Sequence, residues 1–117
     1  MSVKKPKISV LIPVHNGADT LAETVASILN QTFADFELLL FDDASTDASP
    51  EIINSFADSR IRRFRSDANL GISETRNRLM ELAAGEYLAV MDHDDLSAPR
   101  RLEKQAAWLD NLSLIHI

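Results

Sequence analysis

The chain of 117 residues contains no cysteine, and this absence alone removes several classes of chemistry. Without thiols there is no disulfide bond, zinc–thiolate site, iron–sulfur cluster or cysteine nucleophile. No run of about 18 apolar residues occurs, so nothing in the sequence predicts a membrane-spanning helix. The apolar run 8–14 (ISVLIPV) that follows the basic start is too short for a signal peptide and has no small-residue cleavage site after it. We therefore expect a cytoplasmic protein, and attachment of a longer, full-length protein to the inner face of the membrane stays open.

Positive charge is scarce as well. Lysine and arginine number 12 against 18 aspartate and glutamate residues, and the formal net charge is -6. A nucleic-acid-binding protein needs a basic face that neutralises phosphates, so no nucleic-acid partner is expected. Apolar residues make up 45% of the chain and charged residues 26%, which is typical of a soluble domain with a modest core.

Short apolar runs alternate along the chain with amphipathic stretches, the pattern of repeated strand–helix units. Strands are predicted at residues 8–14, 36–41, 61–66 and 86–91, and the third is expected to be less buried than the others. Four such units in series predict the α/β class: an open, mostly parallel sheet with helices on both faces, as in Rossmann-like folds.

Residues that commonly begin helices follow each predicted strand. The predicted starts are a capping box of Thr20 and Glu23, Ser49 before Pro50, Ser73, and Ser97 before Pro99. The last residues, 112–117 (LSLIHI), break the pattern, and they are either the start of a fifth strand or a foreign tail.

The stretch AVMDHDD, residues 89–95, ends an apolar run with three carboxylates within four residues. Like charges this close repel one another, so a cation is expected there. Ligands of open parallel sheets bind outside the carboxyl ends of the strands. The polar residues at those ends, which together form the rim of the sheet, are His15, Asn16, Asp42, Asp43, Ser45, Thr46, Asp47, Asp67, Asn69, Asp92, His93, Asp94 and Asp95. A bound Mg²⁺ or Mn²⁺ would reverse the local charge and allow a phosphate ligand to approach.

Each of these signals also has a purely structural interpretation. A single D-x-D is more often a solvated turn, and Asp42 with Asp43 could simply cap the next helix. His15 alone would more often be structural, and Arg76 near a helix start would more often be solvated. The joint pattern along the rim is what favours a binding site.

Four ordered motifs resemble the start of a family 2 glycosyltransferase with the GT-A nucleotide-sugar-binding fold. They are SVLIPVHNG, NQTFADFELLLFDDASTD, NLGISETRN and GEYLAVMDHDD, and together they span roughly residues 7–110. The resemblance implies that residues 1–117 are the N-terminal, donor-binding part of a longer domain whose acceptor-binding half is absent.

The resemblance implies two groups of site residues. The nucleotide-sugar-binding group is Pro13, His15, Asn16, Asp42, Arg76 and Asp92. In that group Asp42 would accept a hydrogen bond from the ring N–H of the base, Arg76 would help hold the nucleotide, and Asp92 would bond the ribose. The metal group is Asp94 with Asp95 beside it, and the division of metal ligation between the two stays open.

The implied reaction moves a sugar from a nucleoside diphosphate to an acceptor hydroxyl on a saccharide or a lipid-linked glycan, in polysaccharide or glycoconjugate synthesis. UDP is the expected carrier, with dTDP as the next candidate, Mn²⁺ or Mg²⁺ is the expected cofactor, and inversion is the expected outcome. The general base of this family lies further along the chain, beyond residue 117, so we expect donor binding without turnover. Apolar surface left uncovered by the missing half should favour self-association.

Other classes fit the motifs less well. A receiver domain of two-component signalling has an acid pair after its first strand, where this chain has PVHN. A haloacid-dehalogenase-type phosphatase has its D-x-D after the first strand rather than the fourth. A pyrophosphorylase needs a glycine-rich basic loop, but PVHNGADT has one glycine and no lysine or arginine. A non-catalytic nucleotide-binding or receiver-type module remains the alternative to a transferase.

Overall fold

A computed structural model describes residues 5–115, with side chains described as far as residue 111. Strands and helices alternate throughout this part of the chain. They are β1 (Ile8–Val14), α1 (Leu21–Leu29), β2 (Phe36–Asp43), α2 (Ser49–Ser55), β3 (Ile61–Ser66), α3 (Ile72–Leu82), β4 (Tyr87–Val90) and α4 (Arg101–Ile115). Every predicted strand is therefore present, and the first and third have the predicted bounds.

The sheet has the strand order β3-β2-β1-β4, and every pair of neighbours is parallel. This confirms the predicted α/β class. The chain steps outward from β1 to β3 and then returns to form β4 on the other side of β1. Such a reversal leaves a crevice at the carboxyl ends of β1 and β4, where the connecting loops diverge.

Helices cover both faces of the sheet, as predicted. Leu21 of α1, Ile53 of α2 and Leu102 of α4 belong to the apolar cluster on one face. Leu79 of α3 packs with Leu39 and its neighbours on the other face. Because β1 and β2 are covered on both sides, all of their residues are buried, whereas β3 alternates between buried and exposed positions. The third strand is therefore less buried than β1 and β2, as predicted, but β4 has no buried position, so the prediction is wrong for the fourth strand.

Two of the predicted helix caps are wrong, although α1 does begin directly after Thr20. Thr20 precedes α1, but its side chain makes no capping hydrogen bond to that helix. Its hydroxyl instead donates to the carbonyl oxygen of His93. Ser49 is the first residue of α2 rather than its cap, and its Oγ accepts a hydrogen bond from the backbone N–H of Gly17. Both hydroxyls therefore join separate loops at the same edge of the sheet.

The other two starts also differ from the predictions. The residue before α3 is Gly71 rather than Ser73, and its φ of 86° lies in the left-handed region that favours glycine. The last helix begins at Arg101, four residues after Ser97. Residues 112–115 continue α4, so the fifth strand is wrong for them, and residues 116–117 lie outside the described part. Across residues 5–115, no helix is long and apolar enough to cross a membrane.

Candidate functional site

A cleft of about 300 Å³ opens at the carboxyl ends of β1 and β2, beside the loop that follows β4. Its lining includes Pro13, His15, Asp43, Asn69, Thr75 and His93. The side chains come from four separate segments, since the parallel strands bring their ends to one edge. The cleft therefore lies at the carboxyl edge of the sheet, where ligands of open parallel sheets bind, next to the reversal point between β1 and β4.

His15 and Asp43 join the ends of β1 and β2. Nδ1 of His15 donates to the backbone carbonyl of Asp43 at 2.6 Å. The Asp43 carboxylate is buried and accepts two backbone N–H groups of the β3–α3 loop, from Leu70 at 2.7 Å and Gly71 at 3.0 Å. Asp43 therefore fixes the loop that leads into α3 and places a negative charge in the wall of the cleft.

Asp42 lies on the opposite side of the sheet, because successive side chains of a strand point to opposite faces. It is 2% exposed and lines a separate cleft with Ile53 and Arg65. One oxygen, Oδ1, accepts the N–H of Ser45 at 3.1 Å. The other, Oδ2, has no hydrogen-bond partner among the described residues and lies 3.9 Å from Nε of Arg65. Asp42 is thus not part of the cleft that contains Pro13 and His15.

The loop after β1 is held by side chains of the β2–α2 loop. The N–H groups of Asn16 and Ala18 donate to Oγ of Ser45 and Oδ2 of Asp47, at 2.9 Å and 3.1 Å. In return, Oδ1 of Asn16 accepts the N–H of Thr46 at 2.8 Å. Asn16 adopts a φ of 51°, a left-handed conformation that asparagine tolerates better than most residues. Its side chain is used to join two loops at the rim.

Asp47 is the acid that anchors this junction. Its carboxylate also accepts the N–H of Ser49 at 2.9 Å. The hydrogen bond from the side chain of Ser49, aided by backbone hydrogen bonds from Ser49 and Ala18, holds the pKa of Asp47 below its ordinary value, although burial acts in the opposite direction. Asp47 is therefore ionised at neutral pH, and its carboxylate accepts backbone N–H groups of the two loops rather than contacting a ligand.

Arg76 and Asp92 form an ion pair across the rim. Nη2 of Arg76, on α3, donates to Oδ1 of Asp92 at 2.7 Å. Nε of Arg76 is buried and has no hydrogen-bond partner within the described part of the chain. An unpaired buried N–H is costly, so this Nε is an unsatisfied donor, while the Arg76 side chain as a whole is 40% exposed at the rim.

Asp92, Asp94 and Asp95 offer carboxylate oxygens that lie within 4.8 Å of one another. All three side chains are exposed. The loop is locally ordered by the N–H of Asp92, which donates to Oδ2 of Asp95 at 2.9 Å. A carboxylate can accept several hydrogen bonds or metal bonds at once, so these contacts leave ligand capacity. An all-oxygen set of this kind suits Mg²⁺ or Mn²⁺ rather than a soft metal.

His93, in the middle of that loop, packs against the β1–α1 segment. A Cβ placed on Gly17 would lie 2.8 Å from Cγ and Nδ1 of the His93 ring, so glycine permits this close approach. The hydroxyls of Thr20 and Thr24 both donate to the carbonyl oxygen of His93, at 3.0 Å and 2.8 Å. The carboxylate loop is therefore attached to α1 at its midpoint.

The family model for glycosyl transferase family 2 matches residues 9–115, nearly the whole chain. This chain belongs to glycosyl transferase family 2. The match decides between the interpretations left open by the motifs and favours a glycosyltransferase over a receiver-type module.

Curated relatives in this family are similar over most of this chain. EpsE of Bacillus subtilis (strain 168) is 43% identical over 108 residues, covering 90% of this chain and 39% of EpsE. The UDP-Glc:alpha-D-GlcNAc-diphosphoundecaprenol beta-1,3-glucosyltransferase WfgD of Escherichia coli is 32% identical over 111 residues, covering 93% of this chain and 44% of WfgD. The chain thus spans about two fifths of the length of these relatives.

Solved structures show the same fold. S. aureus TarS 1-349 in complex with UDP superposes with a TM-score of 0.84 at 28% identity, covering 90% of this chain and 32% of TarS 1-349. The same protein in complex with UDP-GlcNAc gives a TM-score of 0.85 at 28% identity, covering 90% of this chain and 31% of the other.

The structure brings together most of the residues that the sequence predicts for the family 2 site. Pro13 and His15 line the cleft, Asn16 lies beside it, and Arg76 reaches Asp92. Asp94 and Asp95 share one cluster with Asp92. Asp42 is the residue that the fold keeps apart from them.

The sequence places Asp43 and His93 at this edge of the sheet but assigns neither of them a role, and it does not predict Thr75 as a lining residue of the cleft. For Asp43 a partial signal existed. Two adjacent aspartates at a strand end point to opposite faces, so only one of Asp42 and Asp43 can enter a given cleft, although the pattern does not say which one. For Thr75, its place one residue before Arg76 near the start of the predicted third helix was a usable hint. No sequence pattern marks His93 as a neighbour of Gly17.

Proposed function

We propose that this family 2 chain binds the nucleotide of a UDP-sugar at the cleft between β1, β2 and α3. One observation supports this proposal above all. The Arg76–Asp92 ion pair, the three-carboxylate cluster and the cleft lined by Asp43 lie along the same edge of the sheet. The solved complexes of S. aureus TarS with UDP and UDP-GlcNAc, at TM-scores of 0.84 and 0.85, support a uridine nucleotide as the ligand.

In this proposal the base enters the cleft between His15 and Asp43. An acidic acceptor in the wall suits the ring N–H of uracil, because a carboxylate accepts without donating. Asp43, rather than Asp42, takes this role, since Asp43 lines the cleft and Asp42 faces the separate cleft with Arg65. Pro13 and His15 supply apolar and imidazole surface on the β1 side.

The ribose and diphosphate extend from the cleft toward Arg76 and the carboxylate loop. Asp92 is suited to accept hydrogen bonds from ribose hydroxyls, and the guanidinium group of Arg76, whose side chain is 40% exposed, is suited to donate to a phosphate oxygen. Asp94 and Asp95 would hold Mn²⁺ or Mg²⁺, whose charge would stabilise the leaving diphosphate. Their exposed oxygens, within 4.8 Å of each other, fit a cation that keeps waters and substrate phosphates in its shell.

The acceptor side of the reaction is proposed from relatives, because this chain spans about two fifths of their length. The name of WfgD describes a lipid diphosphate-linked acceptor, which supports transfer to a saccharide or lipid-linked glycan hydroxyl. We propose inversion at the sugar carbon, with a general base in a part of the parent enzyme beyond residue 117. Donor binding without turnover is then the expected property of these 117 residues.

Calorimetric titration of UDP into this chain, with and without Mn²⁺, tests the proposal. We expect weak binding that tightens at least about tenfold with Mn²⁺, because the cation offsets the repulsion between diphosphate and carboxylates. The Asp94→Ala variant should lose the Mn²⁺ dependence, whereas Asp19→Ala, which removes an exposed acid ahead of α1, should retain it. Binding that is independent of metal and survives Asp94→Ala contradicts the assignment.

A further inference from the structure

The carbonyl oxygen of His93 accepts two hydroxyl hydrogen bonds from the same helix. Thr24 donates at 2.8 Å and Thr20 at 3.0 Å. Thr24 is fully buried and Thr20 is half-buried, so both bonds are partly shielded from competing water. The two threonines lie four residues apart on consecutive turns of one helix face, which is the spacing that lets both reach a single acceptor.

The side chain of His93 is held by the same segment. Its ring lies against Gly17, close enough that any Cβ at this position would meet ring atoms at 2.8 Å. Gly17 is itself fixed, since its N–H donates to the buried Oγ of Ser49 at 2.9 Å. The ring and the carbonyl of His93 are thus both attached to parts of the fold that are anchored elsewhere.

These attachments act on an otherwise exposed and self-repelling loop. Asp92, Asp94 and Asp95 are all exposed, and each lies within two residues of His93. Mutual repulsion of three carboxylates favours conformations in which they separate. Holding the central peptide group in place restrains that separation before any cation arrives.

We propose that Thr20 and Thr24 are positioning residues that preorganise the Asp92–Asp95 loop for a divalent cation and the diphosphate it carries. The inference rests on the proposed function, since it assigns the cation to Asp94 and Asp95. Neither threonine touches the ligand. Their hydroxyls keep the loop in its binding geometry. Less conformational entropy is therefore lost when the cation binds.

The test compares Thr20→Val/Thr24→Val with the unaltered chain in titrations of Mn²⁺ followed by electron paramagnetic resonance, and of UDP followed by calorimetry. We expect Mn²⁺ and Mn²⁺-dependent UDP binding to weaken about tenfold, and UDP binding in the presence of a chelator to change less than about twofold. Thr24→Ser keeps the hydroxyl and should stay close to the unaltered chain. Thr32→Val is the matched control, because Thr32 also donates to a backbone carbonyl, that of Pro99, but away from this loop.

The outcomes separate the inference from the function it rests on. If the unaltered chain binds Mn²⁺ and the double variant binds it equally well, the positioning role is overturned and the proposed function stands. If the double variant weakens UDP binding equally with and without Mn²⁺, the threonines merely support the fold and the inference is again overturned. If the unaltered chain binds neither Mn²⁺ nor UDP, both proposals fail. Should the double variant not fold, the single variant Thr20→Val, at the half-buried position, replaces it as the variant that loses a hydroxyl. Thr24→Ser remains the control that keeps one.

Discussion

Nη2 of Arg76 lies 2.7 Å from Oδ1 of Asp92, which joins helix α3 to the loop after β4 at the acid-rich edge of the sheet. The two side chains are 40% and 51% exposed, so the pair is largely hydrated. Exposed pairs of this kind contribute less than about 1 kcal/mol to stability. Its importance therefore lies in what it orients rather than in holding the fold together.

Replacing Arg76 by alanine should separate binding from stability. We expect the affinity for UDP to fall about tenfold, because a charged donor to the diphosphate is lost, and the free energy of unfolding to fall by less than about 1 kcal/mol. Calorimetry and urea unfolding measure the two quantities. Arg78→Ala is the control on the same helix, since Arg78 pairs with Glu74 at 3.2 Å away from the cleft. Equal UDP affinities for the two variants would remove Arg76 from the site.

The adjacent acids of β2 offer a paired comparison. Asp43→Asn should weaken UDP binding about tenfold, because it removes a negative acceptor from the cleft and one of the bonds to Leu70 and Gly71. Asp42→Asn should leave UDP binding within about twofold, since the amide can still accept the N–H of Ser45 on the other side of the sheet. Calorimetry measures the UDP affinity of both variants. Weaker binding by Asp42→Asn than by Asp43→Asn would return the contact with the base to Asp42.

Much of the architecture follows from the sequence for a clear physical reason. The strand residues Val10 and Leu38 are fully buried, and continuous β-branched and aliphatic runs of this kind occur where helices cover both faces. The number of strand–helix units, their order and the parallel sheet could therefore be predicted. The grouping of the rim residues at one edge could also be predicted, because the carboxyl ends of parallel strands lie at the same edge of a sheet.

The parts that could not be predicted depend on contacts between distant segments. Thr20 satisfies the local pattern of a capping box, but its hydroxyl finds the carbonyl of His93, 73 residues along the chain. Which of Asp42 and Asp43 enters the cleft depends on which helix covers which face, and local sequence does not determine that. The same holds for Gly17, whose small size matters only because His93 packs against it.

Asp58 and Arg60 give a test of stability against pH that is independent of the site. Two nitrogens of Arg60 reach the two carboxylate oxygens of Asp58, at 3.0 Å and 2.8 Å, and lower the pKa of Asp58 from 3.8 to about 2. Since the folded pKa lies below the unfolded one, the stabilisation is present above about pH 4 and is lost as pH falls toward 2.

The Asp58→Asn variant should therefore have a free energy of unfolding about 1 kcal/mol lower at pH 7, after allowance for partial exposure of the pair. The difference from the unaltered chain should shrink as pH falls from about 4 to about 2. Urea unfolding across this range measures it, with Asp19→Asn as the control for loss of one surface charge. A difference that stays constant with pH would mean that the ion pair does not stabilise the fold.

The edge strand β4 carries apolar side chains on its outer surface. Leu88 and Val90 are 45% and 42% exposed, and Trp108 of α4 is 64% exposed beside them. Uncovered apolar edge strands pair with other chains, so we expect these 117 residues to self-associate with rising concentration. Leu88→Lys should lower the association measured by analytical ultracentrifugation. Met80→Lys, at an exposed position on α3, should not, and a monomer at all concentrations would contradict the expectation.

The most direct test of the central claim is a crystal structure of this chain grown with UDP and Mn²⁺. The account predicts uracil in the cleft against Asp43, the ribose near Asp92, and a manganese ion between the diphosphate and the carboxylates of Asp94 and Asp95. Uridine bound on the Asp42 side of the sheet, or an occupied cleft with no manganese at Asp94 and Asp95, would contradict it.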